Sequence, residues 1–232
     1  MKDVDIYCFA LDEIVAHADA ILSAEEQARA VQFRFARDRR RFINCRAKVR
    51  TILARYLAPH LAMDAVQIKF RYNEFGKPSV DGMHFNVSHS HDVAMMAVSR
   101  SREVGIDIER VDASFANENV PERFFSPREV AALRELPSTQ QLNAFFRCWT
   151  RKEAYVKARG MGLSLALNSF DVTLAPGEPP RFLRGADDWS VESLSPIPGY
   201  AAAVVASPIH ESFLPYSRSA STCEINSRQE LP

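Results

Sequence analysis

The stretch Val104-Gly105-Ile106-Asp107-Ile108-Glu109 restricts the fold more than any other part of this chain. Val104, Ile106 and Ile108 alternate with Gly105, Asp107 and Glu109, which is the period of a β-strand. Side chains two apart on a strand share a face. One face is therefore wholly apolar and belongs in a core. The other carries two carboxylates roughly 6–7 Å apart. Like charges held that close repel unless a cation lies between them or one takes up a proton. Hard divalent ions such as Mg²⁺ favour such an oxygen pair. A polar outer face with its acids in solvent gives the same pattern.

A third acid lies far along the chain. Phe145, Trp149 and Glu153 recur every fourth residue, so on a helix they stack on one face. That face is apolar except for Glu153, and an acid there must be neutralised, paired or metal-bound. Lys157 follows at the same spacing, so a simple Glu–Lys pair is the plainer explanation. Asp107, Glu109 and Glu153 together would supply three oxygen ligands for one Mg²⁺, which normally keeps waters and gains phosphate oxygens as well.

The rest of the chain reads as an α+β protein. Val4–Phe9 is expected to be a strand. Ser23 and Glu26 form a capping box for a helix to about Phe35. Asp38 opens a longer helix to about Ala58, stopped by Pro59. Arg37, Arg39, Arg40, Arg41, Arg46, Lys48 and Arg50 crowd its first half, either as a solvated face or as an anion site. Val66–Tyr72, His84–Val87, Val93–Val98 and Val104–Glu109 read as strands, the last three as one antiparallel sheet joined by tight turns. Asn73–Pro78 is turn chemistry. Asp112–Val120 reads as a loop and Pro121–Phe125 as a helix. Ser126-Pro127-Arg128-Glu129 starts the next helix, and Thr139–Arg159 forms the most clearly amphipathic one, closed by Gly160. Asn168–Leu174, Trp189–Leu194 and Tyr200–Ala206 complete the strands. The tail from Ser217 is polar and expected to be flexible. Strand, helices and strands occur twice in the same order.

Composition removes several classes. Twenty-nine basic residues balance 29 acidic ones, which argues against a general nucleic-acid coat. Four scattered cysteines with no metal-type spacing suit free thiols in a reducing cytoplasm. No leader-like start and no apolar run long enough for a bilayer are seen. Neither GxxxxGK[ST] nor GxGxxG after a strand occurs. Ser88 and His89 at a strand end, Arg41 with its neighbours, and Gly76-Lys77-Pro78 are possible phosphate or base contacts. Each also has an ordinary meaning: a solvated loop, a solvated helix face, a hairpin turn.

Taken in order, six short motifs resemble the phosphopantetheinyl transferases of the two-lobed, surfactin-synthetase-activating (Sfp-like) group. They are Phe75–Pro78, Phe85–Ser90, Gly105–Glu109, Arg123–Ser126, Trp149–Lys157 and Gly160–Ser164. The likeness covers about Ser23–Ala206. The resemblance implies two similar, pseudo-twofold-related α+β lobes, each an antiparallel sheet packed on helices, with the active site at their junction. Residues 1–112 would be the CoA-binding lobe, 113–210 the lobe completing the metal site and carrier contact, and 211–232 a tail. It implies transfer of the 4′-phosphopantetheine arm of coenzyme A to a serine of an apo acyl or peptidyl carrier protein, releasing 3′,5′-ADP. Asp107, Glu109 and Glu153 match the ligands of Mg²⁺, with Mn²⁺ an alternative. Glu153 also matches the base, and Lys157 the lysine beside the diphosphate. Ser88 and His89 match diphosphate and 3′-phosphate contacts, Gly76, Lys77 and Pro78 the adenine side, Arg41 a 3′-phosphate arginine, and Arg29 a basic residue before it. Glu26 stands where some relatives are basic. A cytoplasmic monomer with no nucleic-acid or membrane partner is expected. Phe124 and Phe125 are each either core or carrier contact, with at least one expected in the core.

Overall fold

The first strand, β1 (Asp5–Ala10), pairs with a strand more than 80 residues away, β5 (Val93–Ser99), antiparallel and in register from Asp5↔Val98 to Ala10↔Val93. Strand β4 (His84–Ser90) takes the other edge of β5. This arrangement comes from a computed structural model, which describes residues 1–61, 64–115, 119–186 and 188–209. The 211–232 tail lies outside the described residues.

A second sheet repeats the pattern. Strand β6 (Val104–Arg110) and β9 (Ser190–Leu194) flank β10 (Tyr200–Ala206), all antiparallel. The two sheets have the orders β1-β5-β4 and β6-β10-β9. In each, a strand leads into helices and then a pair of strands, the later of which lies beside the first strand. The repeated element order in the sequence is thus a repeated topology. One expectation needs correction: β6 does not extend the β4–β5 sheet. Both edges of β5 are already filled, so β6 pairs with β10 instead.

Helix α3 (Ala36–Leu61) lays Val49, Ile52 and Leu53 on Phe85, Ala94, Met96 and Val98 of the first sheet. The opposite face of β5, through Val93, Met95 and Ala97, meets Val104, Ile106 and Ile108 of β6. The long helix α6 (Ser138–Arg159) covers the far side of the second sheet, where Ala154 and Ala158 join Ala203 and Val205 in one core. The order of layers is helix, sheet, sheet, helix, and the apolar face of β6 is buried as its alternation requires.

Short elements frame these layers: α1 (Ala18–Ile21), α2 (Ala24–Ala30), β2 (Arg71–Tyr72), β3 (Pro78–Ser79), α4 (Asn119–Phe124), α5 (Pro127–Glu135), β7 (Asp171–Val172) and β8 (Phe182–Arg184). Both predicted capping boxes form, Ser23 with Glu26 and Ser126 with Glu129. The predicted strand over Val66–Tyr72 is mostly absent. The Asp64 N–H donates to Gln67 Oε1, which favours a 3-10 turn at Ala65–Gln67 and leaves only Arg71–Tyr72 extended. Asn168–Leu174 likewise begins as a 3-10 turn before the two-residue β7. The helix expected to reach Phe35 ends at Ala30, and α3 continues two residues past Pro59.

The arginines of α3 divide by face. Arg50 is buried, donates to Glu26 Oε2 at 2.5 Å, and also reaches the carbonyls of Ala65 and Ile68. Arg46 pairs with the other Glu26 oxygen. Glu26 is therefore both a capping residue and the counter-ion of two inward arginines, which explains an acid at this position.

Candidate active site

Gly105 sets how closely α6 approaches β6. A side chain there would meet the Ala154 carbonyl and the Ala158 backbone, with Ala158 Cα at 2.8 Å. Glycine on the strand and alanine on the helix bring the two backbones together. The neighbours of those alanines, Glu153 and Lys157, are then carried over the acidic face of β6.

Lys157 does not use its charge within the helix. Its Nζ lies 2.6 Å from Asp107 Oδ1 and 2.8 Å from Ser88 Oγ. Asp107 is buried, and among the described residues its other oxygen, Oδ2, has no hydrogen-bond partner. Burial and the Asp107 charge push the Glu109 carboxyl up to about 7. The same two causes raise Glu153. All three acids thus sit where their charges oppose one another, as the strand spacing implied for the first two.

The acids are held from β4. Ser88 Oγ donates to Asp107 Oδ1 at 2.9 Å, and Ser90 Oγ donates to Glu109 Oε2 at 2.9 Å. The same hydroxyls accept from backbone N–H groups on the edge of β6, Ser88 from Ile108 at 3.5 Å and Ser90 from Arg110 at 3.1 Å. Asn86 Oδ1 accepts from Ile106 N–H at 2.9 Å. Three alternate side chains of β4 therefore run in step along β6, where no backbone ladder joins the sheets. Asn86 and Ser90 are site residues that the motifs alone do not single out. Their alternation with Phe85 and Val87 was the available signal.

Beside the acids opens a cleft of about 570 Å³. Gly76, Lys77 and Pro78 line it with Phe75, Glu153 and Lys157. Lys77 is tied inward: its Nζ donates to the carbonyls of Ala158 and Val104, and burial lowers its pKa to about 8. Asn73 secures the same turn by accepting from Phe75 and Lys77 N–H and donating to the Gly160 carbonyl. Positive φ at Gly160 (61°) permits that approach to the end of α6. Arg123 and Phe124 also line the cleft, Phe124 half-buried against the core, whereas Phe125 is buried within it, as expected of at least one of the two.

The outer residues lie differently. Ser88 is committed to Asp107 and Lys157. His89 points to the opposite face of β4 and is exposed. Local packing, then the Lys157 charge, lower its imidazole pKa. Arg41 is held by Asp12, with Nη2 to Oδ2 at 2.5 Å, and by the His91 carbonyl at 2.8 Å. Asp12 is correspondingly lowered to about 2, chiefly by its hydrogen bond to Arg41. Arg29 is exposed and lies over the Phe42 ring, 5.5 Å from its centroid.

Within Trp149–Lys157 the charges have separate tasks. Lys152 is fully buried against Glu129 at 2.7 Å and also holds the Leu167 and Phe170 carbonyls. Arg151 binds Thr173 and Ser193. These two brace α6 against the second half, while Glu153 and Lys157 face the acids. Periodicity alone did not separate them.

The residues suit a hard divalent cation. Three carboxylates face one region, one buried carboxylate oxygen lacks a hydrogen-bond partner among the described residues, and burial followed by mutual repulsion raises two of the acids. Among the described residues no three such side chains are already gathered as a metal cage.

Comparison with known proteins agrees with this layout. Residues 103–205 match the family described as the 4′-phosphopantetheinyl transferase superfamily, and residues 11–101 match "4′-phosphopantetheinyl transferase, N-terminal". The join falls between β5 and β6. The chain is 41% identical over 191 residues to the 4′-phosphopantetheinyl transferase HetI of Nostoc sp., covering 80% of this chain and 78% of the relative. It is 34% identical over 169 residues to Sfp of Bacillus subtilis, covering 68% and 74%. With the 4′-phosphopantetheinyl transferase gsp of Aneurinibacillus migulanus it shares 39% over 136 residues, 56% of each chain. The chain belongs to the 4′-phosphopantetheinyl transferase superfamily, within its Sfp-like group.

Proposed function

We propose that this protein transfers the 4′-phosphopantetheine arm of coenzyme A to a serine of an apo acyl or peptidyl carrier protein, with Mg²⁺ held by Asp107, Glu109 and Glu153. The observation that carries the reading is the meeting of these acids with Lys157 beside the cleft that Gly76–Pro78 lines. When bound, Mg²⁺ or Mn²⁺ would neutralise charge on the coenzyme's diphosphate.

This chain's own residues have complementary tasks. Lys157 offers a cation to the departing 3′,5′-ADP, displaced from Asp107 or shared with it. Glu153 takes the proton of the carrier serine. A carboxylate whose affinity for protons is raised by burial suits that role near neutral pH. The backbone of Gly76 and Pro78 faces the adenine, with Lys77 bracing the strip from behind. Arg41, released from Asp12, meets the 3′-phosphate with His89 and Arg29 nearby, and Ser88 contacts the diphosphate from within the acid network. The half before the join at residue 102 carries the coenzyme side, and the half after it supplies the acids of β6 and completes the site through α6.

Phe115 is 45% exposed and packs edge-on against Trp149, whose ring Phe124 also meets, with Arg123 over Phe124. This apolar and basic surface is assigned to the acidic carrier. Two repeated halves in one chain make a monomer sufficient. Among the described residues no helix is long and apolar enough to cross a membrane, and the reading places the enzyme in the cytoplasm.

Intact-mass measurement of a panel of apo carriers incubated with coenzyme A, Mg²⁺ and the protein tests the proposal. The expected result is one phosphopantetheine added to at least one carrier and none without metal. Coenzyme A cleaved with every carrier unmodified would indicate a diphosphate hydrolase instead.

A further inference from the structure

The row of β4 side chains does more than join two sheets. A serine hydroxyl has one proton and two lone pairs. Ser90 Oγ accepts from Arg110 N–H at 3.1 Å, with His91 Nδ1 at 3.5 Å, and directs its proton to Glu109 Oε2 at 2.9 Å. Ser88 Oγ lies 2.8 Å from Lys157 Nζ and 3.5 Å from Ile108 N–H, and directs its proton to Asp107 Oδ1 at 2.9 Å. Lys157 also occupies that Asp107 oxygen. Each carboxylate therefore has one oxygen engaged. Among the described residues Asp107 Oδ2 is buried without a partner, and no hydrogen bond is seen to the second oxygen of Glu109.

We propose that Ser90, acting in step with Ser88, is a positioning residue that selects the metal: Ser90 engages one oxygen of Glu109 as Ser88 engages one of Asp107, which turns the other oxygen of each carboxylate to the ion. The inference rests on the reading of Asp107 and Glu109 as metal ligands and extends it to which ions they accept. Mg²⁺ and Mn²⁺ are small and six-coordinate, and they accept carboxylates through single oxygens. Ca²⁺ takes six to eight oxygens and often binds both oxygens of a carboxylate. A hydroxyl on Glu109 Oε2 takes one of that oxygen's two lone pairs and fixes the carboxylate's orientation, which disfavours the second mode and leaves the first unhindered. Constancy of the arrangement argues that it is built: Asn86, Ser88 and Ser90 each meet a β6 amide 20 residues later.

The test uses the full chain without coenzyme A and reads binding rather than turnover. Mn²⁺ is titrated by electron paramagnetic resonance, then displaced with Mg²⁺ or with Ca²⁺. The wild type is expected to prefer Mg²⁺. Ser90→Ala should narrow that preference by about tenfold, the scale on which partners of metal ligands act. Ser90→Thr, which keeps the hydroxyl, should restore it. Should Ser90→Ala fail to fold, Ser90→Cys, a much weaker donor, replaces it. An unchanged Mg²⁺-to-Ca²⁺ ratio in the hydroxyl-free variant overturns the inference while leaving the metal site standing. A wild type that binds no Mn²⁺ overturns both.

Discussion

Lys157 on α6 and Asp107 on β6 meet at 2.6 Å, an ion pair whose acid is almost fully buried and whose base is partly open to the cleft. The sequence offered Glu153 as the natural helical partner of Lys157, but the close packing at Gly105 brings Asp107 nearer. Lys157→Met should leave the Asp107 carboxylate short of a partner. Without metal, urea denaturation should show a loss of about 1–3 kcal/mol. Saturating Mg²⁺ should recover most of that stability but not the transfer rate. Full recovery of both would remove Lys157 from the reaction.

Glu153→Gln tests the base and the third metal-binding carboxylate together. The amide keeps the shape and loses the base. Carrier modification followed by mass spectrometry should slow by about 10²–10⁴-fold. The circular dichroism spectrum should match the wild type. A protein that merely holds coenzyme A or a carrier would tolerate the change, and near-normal transfer would rule out Glu153 as the base.

Much of this arrangement was legible in the residues, for reasons that differ by element. The β6 alternation placed three apolar side chains in a core and two acids together because a strand has only two faces. The two capping boxes are local chemistry between residues three apart, and both form. Strand partnership was not legible: β6 follows β5 through a short turn, yet pairs with β10 because β5 has no free edge. Nor was the division of the Trp149–Lys157 charges. Arg151 and Lys152 are fixed by groups 15–42 residues away, whose positions exist only after the second half has packed. Glu26 looked like a departure from a basic position until Arg46 and Arg50 appeared inside the fold.

Gly105→Ala should damage stability and activity together. The added methyl has nowhere to go between Ala154 and Ala158, so α6 must lift or the strand must bend. Overpacking of this kind costs about 1–3 kcal/mol. A lower urea midpoint with a reduced transfer rate is expected. An unaltered midpoint would mean that the helix–strand spacing is not tight at this glycine.

The raised Glu109 carboxyl gives a pH dependence of stability with a definite sign. Its usual value of 4.5 moves to about 7 in the fold. Between those values the folded chain holds a proton that the unfolded chain has released. The stabilisation from that proton is complete below about pH 4.5 and disappears as pH rises through 7. Thermal midpoints of the metal-free protein between pH 5 and 8 should therefore carry a falling component. Glu109→Gln should flatten it, and Mg²⁺ should lessen it by taking the proton's place. A steeper fall in Glu109→Gln would contradict the assignment.

Arg41 is held by Asp12 and the His91 carbonyl, so a 3′-phosphate would have to compete with a carboxylate already in place. Arg41→Ala should raise KM for coenzyme A by about tenfold, the loss of one charge-assisted contact, while changing little for 3′-dephospho-coenzyme A. Asp12→Asn should move KM for coenzyme A in the opposite direction. Equal effects on the two substrates would place the phosphate elsewhere.

The outermost strand of the second sheet is dressed by side chains borrowed from the first. Asn86, Ser88 and Ser90 occupy amides that would otherwise be a bare pairing template. A fragment beginning at residue 103, although it contains a whole sheet and its helix, would expose that row and is expected to self-associate into insoluble material. Supplying the missing half as a separate chain should keep it in solution. The duplicated halves thus act as each other's chaperone, which makes the join at residue 102 a workable place to divide the protein into a complementing pair.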